Sequence, residues 1–133
     1  HKSLLSYAER LLTDENFQLS VLISHTACEL SVEFALNVFW ESKGMPDVAE
    51  PFTGLFQSLN LGNDRLRKLW CALTGDRIQE QSFWNSFQQS VSRRNDVVHR
   101  GSQVTKPEAE SSLEAAKSLI DHIELVVKSI VDE

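Results

Sequence analysis

Apolar residues along this chain recur at three- and four-residue steps, and no stretch alternates with the period of two that marks a half-buried strand. Leu4, Leu5, Ala8, Leu11 and Leu12 form one stripe and predict a short amphipathic helix over about 3–12. Thr13-Asp14-Glu15-Asn16 supplies capping residues and a break. From Phe17 to about Lys43 the spacing predicts one long helix, stopped by Gly44. Leu19, Leu22, Ile23, Leu30, Phe34 and Val38 follow one face of it, and Val21, Val32, Leu36 and Phe39 widen that face. So broad an apolar surface needs cover on more than one side, which the inside of a bundle or a dimer interface would supply.

Gly44 to Asn63 carries Pro46, Pro51, Gly54 and Gly62 and is the least regular part of the chain, although Phe52, Leu55, Phe56 and Leu59 keep a helical spacing and predict a short packed helix. Asn63 is placed to cap a helix from Asp64 to Thr74, closed by Gly75, with Leu66, Leu69, Trp70 and Leu73 inward. A further helix is predicted from Ser82 to Gly101, with Phe83, Trp84, Phe87, Val91 and Val98 or their neighbours inward. Thr105-Lys106-Pro107-Glu108 has the form of a capping box with proline in the first turn, and opens a last helix that runs to about Val131. The economical packing is all-α: an up-and-down bundle of four main helices, with one or two short extra helices between the second and third, in a single domain over residues 1–133.

Length and composition fit that picture. The 133 residues suffice for one core, and 41% hydrophobic with 24% charged residues is an ordinary globular balance. No apolar run reads as a bilayer span or a signal peptide, so no membrane is expected and the cytoplasm is the expected compartment. The opening His1-Lys2, without a methionine, reads as a processed end or a domain cut from a longer chain. Cys28 and Cys71 sit among apolar neighbours in predicted helices and are expected as free thiols. A net charge of −6 argues against broad coating of nucleic acid, so any phosphate contact must be local. Basic residues cluster at Arg65, Arg67 and Lys68 and again at Arg93, Arg94, Arg100 and Lys106; each cluster is either a solvated helix face or such a contact.

The chemistry concentrates in Arg93-Arg94-Asn95-Asp96-Val97-Val98-His99-Arg100-Gly101. Arginine binds two phosphate oxygens with its planar fork and stays charged, and histidine transfers protons near neutral pH. Arg94 and His99, five apart, lie about 140° apart around a straight helix, whereas Asn95 and His99, four apart, share a face. One copy of the helix is therefore a poor phosphate clamp, unless its last turn unwinds near Gly101 or a second chain contributes. The same cations at the end of a helix also complement its dipole and need no ligand to explain them.

The segment resembles the Arg-x4-His signature of the HEPN superfamily, in which a polar residue, commonly Asn, follows the arginine. The resemblance covers the chain by helical architecture and this segment by sequence. It implies a homodimer whose two motifs meet in a composite cleft, and metal-independent cleavage of RNA by its own 2′-hydroxyl, leaving a 2′,3′-cyclic phosphate. On that basis Arg94, Asn95 and His99 are the catalytic candidates: His99 for proton transfer, Arg94 for the phosphate, Asn95 for orientation. Arg93 and Arg100 are candidates for substrate binding. Asp96 would fix a ring or an arginine, or simply face solvent. Because HEPN proteins often carry a glutamate on their second helix, Glu29 is a candidate partner for Arg94. A toxin or antiphage setting, with an antitoxin or fused partner domain, is implied by resemblance alone. A non-catalytic HEPN-like module that dimerises or binds a nucleotide or a partner is the alternative.

Other constellations are weaker. His25, Cys28 and Glu29 have a metal-like spacing but no further ligand apart from His122 on the last helix, so no metal is expected; His25, Glu29 and Glu33 also read as a polar stripe. Trp40, Trp70 and Trp84 would stack bases if exposed, but lie on apolar faces and are expected in the core or a dimer contact. There is no Gly-rich phosphate loop, nucleophile elbow or Walker-type lysine, so classical nucleotide hydrolysis is unsupported and no cofactor is expected.

Overall fold

The computed structural model describes residues 1–132, and among these it is all-helical, with no strand. The helices are α1 (Lys2–Thr13), α2 (Phe17–Ser42), α3 (Ala49–Thr53), α4 (Asp64–Thr74), α5 (Trp84–Arg100) and α6 (Lys106–Val131). Four of the expected stop and start signals act where they were read. Gly75 and Gly101 adopt left-handed φ values of 75° and 62° at the ends of α4 and α5, a conformation that favours glycine. Asn63 Oδ1 accepts from the Leu66 amide, and Thr105 and Glu108 form the reciprocal capping box of α6.

The four main helices run up, down, up and down, and the direction of each follows from what its ends touch. Lys2 at the start of α1 pairs with Glu124 near the end of α6 at 3.0 Å, so these two helices are antiparallel. The Gln18 amide, at the start of α2, donates to the carbonyls of Gly101 and Ser102 just past the end of α5, at 3.3 and 2.6 Å. Helix α5 is thus antiparallel to α2, and α6, which starts at that same end, runs parallel to α2. Small residues line the buried side of α2, where Ser20, Ser24, Ala27, Ser31 and Ala35 let neighbouring backbones approach closely. Ser20 Oγ donates to the Ala8 carbonyl at 2.8 Å, which ties α1 to that seam.

The main core gathers Leu36, Leu61, Leu66, Trp70, Ile78, Leu119 and Ile123, all nearly or fully buried. Helix α4 and its flanking loops plug one side of the bundle. A smaller cluster of Val21, Val97, Val104 and Ala109 closes the end where α5 stops.

Four readings shift. The short helix of the irregular region is Ala49–Thr53 rather than a segment through Leu59, and a 3-10 turn, Pro46–Val48, precedes it. Proline fits in a first turn, where no amide donor is needed, so Pro51, the third residue of this helix, does not break it. Helix α5 begins at Trp84, not Ser82, after a second 3-10 turn at Ile78–Glu80. On α5 it is Val97, 9% exposed, that turns inward, while Val98 is 48% exposed. Finally, α2 is long and apolar enough to cross a membrane by length and composition, contrary to the reading that no run qualifies; here it is the central helix, against which α1, α5 and α6 all pack.

That helix is covered on one side only. Val21, Cys28, Val32, Ala35, Leu36 and Phe39 are buried, whereas Leu30 is 41% and Phe34 53% exposed, with Leu19 and Ile23 half-buried beside them. The broad apolar surface of the sequence is therefore half satisfied by the bundle.

Candidate functional site

The end of α5 stays α-helical through Arg100, and the Gly101 amide donates to the Val97 carbonyl at 3.0 Å. The last turn therefore does not unwind, and the side chains of the motif leave the helix in fixed directions. Arg94 follows Ser90 by four positions and precedes Val97 by three, which places it on the inward stripe with these two buried residues. It is half-buried, and its Nη1 donates to Asn95 Oδ1 at 3.2 Å. Asn95 and His99 lie on the outer face, both exposed, as are Asp96 and Arg100. One chain thus offers an inward-leaning guanidinium with an amide beside it, and a separate outward imidazole.

Arg93 goes elsewhere. Its Nη1 donates to the Glu108 carbonyl at 3.0 Å and to Ser112 Oγ at 2.7 Å, and its Nε lies 3.8 Å from Glu108 Oε2. These contacts clamp α5 to α6, so the candidate substrate-binding arginine is held by the fold. Asp96 does not pair with Arg94 or His99; with Ser92, Arg93, Ser102, Gln103 and Glu108 it lines an open groove of about 270 Å³ beside the α5–α6 turn.

Across the inward edge, α2 presents Glu29. Its Oε1 lies 3.2 Å from Nε2 of His25, one helical turn earlier, and the His25 side chain is only 3% exposed. The hydrogen bond from His25 is the largest influence holding the Glu29 carboxyl below its ordinary range, partial burial opposes it, and the charges of His25 and Arg94 lower it further. Among the described residues no ion pair or hydrogen bond joins Glu29 to Arg94, whose charge acts on the carboxyl from farther away than His25 does.

The metal-like trio of His25, Cys28 and Glu29 is not a coordination site. Cys28 turns into the core, where burial pushes its thiol far up, and among the described residues no group of three or more His, Cys, Asp or Glu is placed to hold a metal ion. Both cysteines are free. Trp70 is fully buried and Trp84 is 6% exposed, so neither is a base-stacking platform. In the other basic cluster, Arg67 lies over the Trp84 ring and donates to Asp64, while Arg65 and Lys68 face solvent.

Sequence reasoning missed a polar node at the far end of the bundle. Asp76 Oδ2 accepts from Trp70 Nε1 at 2.9 Å, and both its oxygens lie within 3.0 Å of His122 Nε2. Asp76 and His122 are 46 residues apart. No local spacing links them, and the sequence offered His122 only as a further ligand for the metal-like trio. No family model, curated protein or solved structure matches the chain.

Proposed function

We propose that this chain is a HEPN-like, metal-independent endoribonuclease that works as a homodimer, with Arg94, Asn95 and His99 from two copies forming one cleft. The observation that carries the reading is the intact end of α5: the helix continues to Arg100, so Arg94 and His99 leave it about 140° apart rather than from one face, and a second copy would complete the clamp. The uncovered apolar side of α2, with Leu30 and Phe34 exposed, offers the surface on which that copy would sit.

In that cleft one His99 accepts the proton of the RNA 2′-hydroxyl as its oxygen attacks the adjacent phosphorus. The 5′-oxygen leaves, taking a proton from the His99 of the other copy, and a 2′,3′-cyclic phosphate remains. Arg94 binds the non-bridging oxygens and balances the charge that builds on them. Asn95, bonded to Arg94 and on the face of His99, orients one or the other. Arg100, exposed at the helix end, attracts the flanking phosphate backbone. The chemistry requires no cofactor. The cellular setting, a cytoplasmic toxin or antiphage effector with an antitoxin or a fused partner domain, rests on the resemblance alone.

One observation favours the alternative, a non-catalytic dimerising or nucleotide-binding module: among the described residues the exposed His99 ring has no hydrogen-bond partner to orient it. The test is to incubate the protein with mixed RNA in EDTA, beside His99→Ala and Arg94→Lys. Products ending in a cyclic phosphate, reduced roughly 100-fold or more in His99→Ala, are expected. Equal cleavage by all three proteins would remove the motif from the mechanism.

A further inference from the structure

The open groove of about 270 Å³ beside the α5–α6 turn takes no part in the chemistry assigned to the motif. Gln89, Arg93 and Asp96, at four- and three-residue steps on one face of α5, form one side of it, and Gln103, Val104 and Glu108 form the other. Val97 and Val104 are both buried and make part of the lining apolar. Three charged side chains reach the groove, and two of them are committed to the fold. Arg93 donates to the Glu108 carbonyl and to Ser112 Oγ, while Glu108 accepts from the Thr105 amide through Oε1 and lies beside Arg93 through Oε2. Asp96 is the third, and among the described residues no ion pair or hydrogen bond engages its carboxylate. The result is a fixed cleft with an apolar lining and one free carboxylate.

We propose that this groove is a base-selecting subsite for guanine in a single-stranded RNA substrate, with Asp96 accepting the N1–H and an N2–H of the base. An ionised carboxylate only accepts hydrogen bonds, and its two oxygens match two parallel donors. Guanine carries such a pair side by side on its Watson–Crick edge. Adenine and cytosine place a ring acceptor next to their amino group, and uracil flanks its one N–H with two carbonyls, so each would set an acceptor against the carboxylate. The amides of Gln89 and Gln103 supply donors for guanine O6 and N7. A groove of this volume holds one base rather than a whole nucleotide, since pockets for drug-sized ligands begin at about 300 Å³. Asp96 and His99 are three residues apart, about 4.5 Å along the helix and about 60° around it. A base held by Asp96 therefore leaves its sugar and phosphate beside the imidazole, and the nucleotide that is selected is the one adjoining the reacting phosphate.

This inference rests on the reading of His99 as the group that meets the RNA phosphate, and its test does not use cleavage. Uncleavable, 2′-O-methylated dinucleotides with guanosine, inosine, adenosine or xanthosine before a uridine are titrated into wild type and Asp96→Asn. Binding is followed by the NMR amide shifts of residue 96 and Gln103, after circular dichroism has shown both proteins folded. Wild type should bind the guanosine dinucleotide roughly tenfold more tightly than the inosine one, which lacks the N2 amino group and so one charge-assisted hydrogen bond, and the adenosine one should bind more weakly still. Asp96→Asn exchanges one carboxylate oxygen for an NH2 donor. It should lose the preference for guanosine and favour xanthosine, whose C2 carbonyl accepts from that donor while N1–H still donates. Free 5′-GMP, the other source of the same base, should bind more weakly than the guanosine dinucleotide, and tighter binding of GMP would overturn an RNA subsite. Equal affinity of wild type for guanosine and adenosine dinucleotides overturns the inference, as does an unchanged preference in Asp96→Asn or wild-type protein that binds none of these ligands. Guanine-selective RNA binding in a protein that never cleaves RNA would keep the subsite and discard the ribonuclease. Cleavage without guanine selection would do the reverse.

Discussion

Removing the Arg93 side chain should destabilise the fold, which is not what a surface arginine waiting for substrate would do. Arg93 Nη1 makes two hydrogen bonds, at 3.0 Å to the Glu108 carbonyl and 2.7 Å to Ser112 Oγ, with its own side chain 16% exposed and Ser112 fully buried. Hydrogen bonds from a charged donor each contribute about 1.5–3 kcal/mol. Part is recovered in the variant, because the Ser112 hydroxyl can turn onto the Glu108 carbonyl one turn back. The net expectation for Arg93→Ala is a loss of about 2–3 kcal/mol. For a chain of this length that lowers the melting temperature by roughly 8–12 °C. Urea denaturation at pH 7 measures the loss, with Arg100→Ala as the exposed comparison, expected within about 0.5 kcal/mol of wild type. Arg93→Met keeps the packed stem and isolates the polar part. In a double-mutant cycle, Arg93→Ala and Ser112→Ala should couple by about 1–2 kcal/mol. If Arg93→Ala were as stable as Arg100→Ala, the clamp between α5 and α6 would be wrong and Arg93 would return to the substrate-binding group.

The other expectations concern separate parts of the molecule. The folded-state Glu29 carboxyl lies below its ordinary value of 4.5, chiefly through the His25 hydrogen bond, so its ionised form adds stability above about pH 4.5 that is lost as pH falls through the folded value. Glu29→Gln should flatten that part of the acid unfolding curve, and an unchanged curve would count against the pairing. Asp76→Ala strips Trp70 Nε1 and His122 Nε2 of their shared acceptor and should cost about 3 kcal/mol in a urea titration, with a loss under about 1 kcal/mol arguing that water replaces the carboxylate. Phe34→Asp should leave the monomer fold intact, since that side chain is 53% exposed, while abolishing dimers in light scattering. A dimer unaffected by it would place the interface elsewhere.

What could be read from the sequence was whatever repeats locally. The capping box at Thr105 and Glu108, the Asn63 cap and the glycine stops at Gly75 and Gly101 each act within about one helical turn, so their residues announce their structure. Local pattern failed where a choice depends on distant neighbours. Leu30 and Phe34 are as apolar as Leu36 and Phe39, and only the packing of α1, α5 and α6 decides that the second pair is covered. Val97 and Val98 are adjacent and alike, and the one that faces Val21 and Ala109 turns inward. The candidate site shows the same division. Arg94, Asn95 and His99 stand out by residue type, whereas the attachment of Arg93 to Ser112 and the Asp76–His122 node join residues with no sequence relation.

The Gln18 amide that grips the carbonyls of Gly101 and Ser102 spans more than 80 residues of chain, and this has a consequence for synthesis. A ribosome that has released the polypeptide as far as Arg100 has already delivered every residue of the motif. It has not delivered Ser112, which anchors Arg93, or the α6 seam against which α2 lies. The helix carrying Arg94 and His99 then has its seat on α2 but lacks the α6 clamp on Arg93. The clamp beside the motif closes only when α6 docks, so a growing chain carries these residues before their full packing is in place.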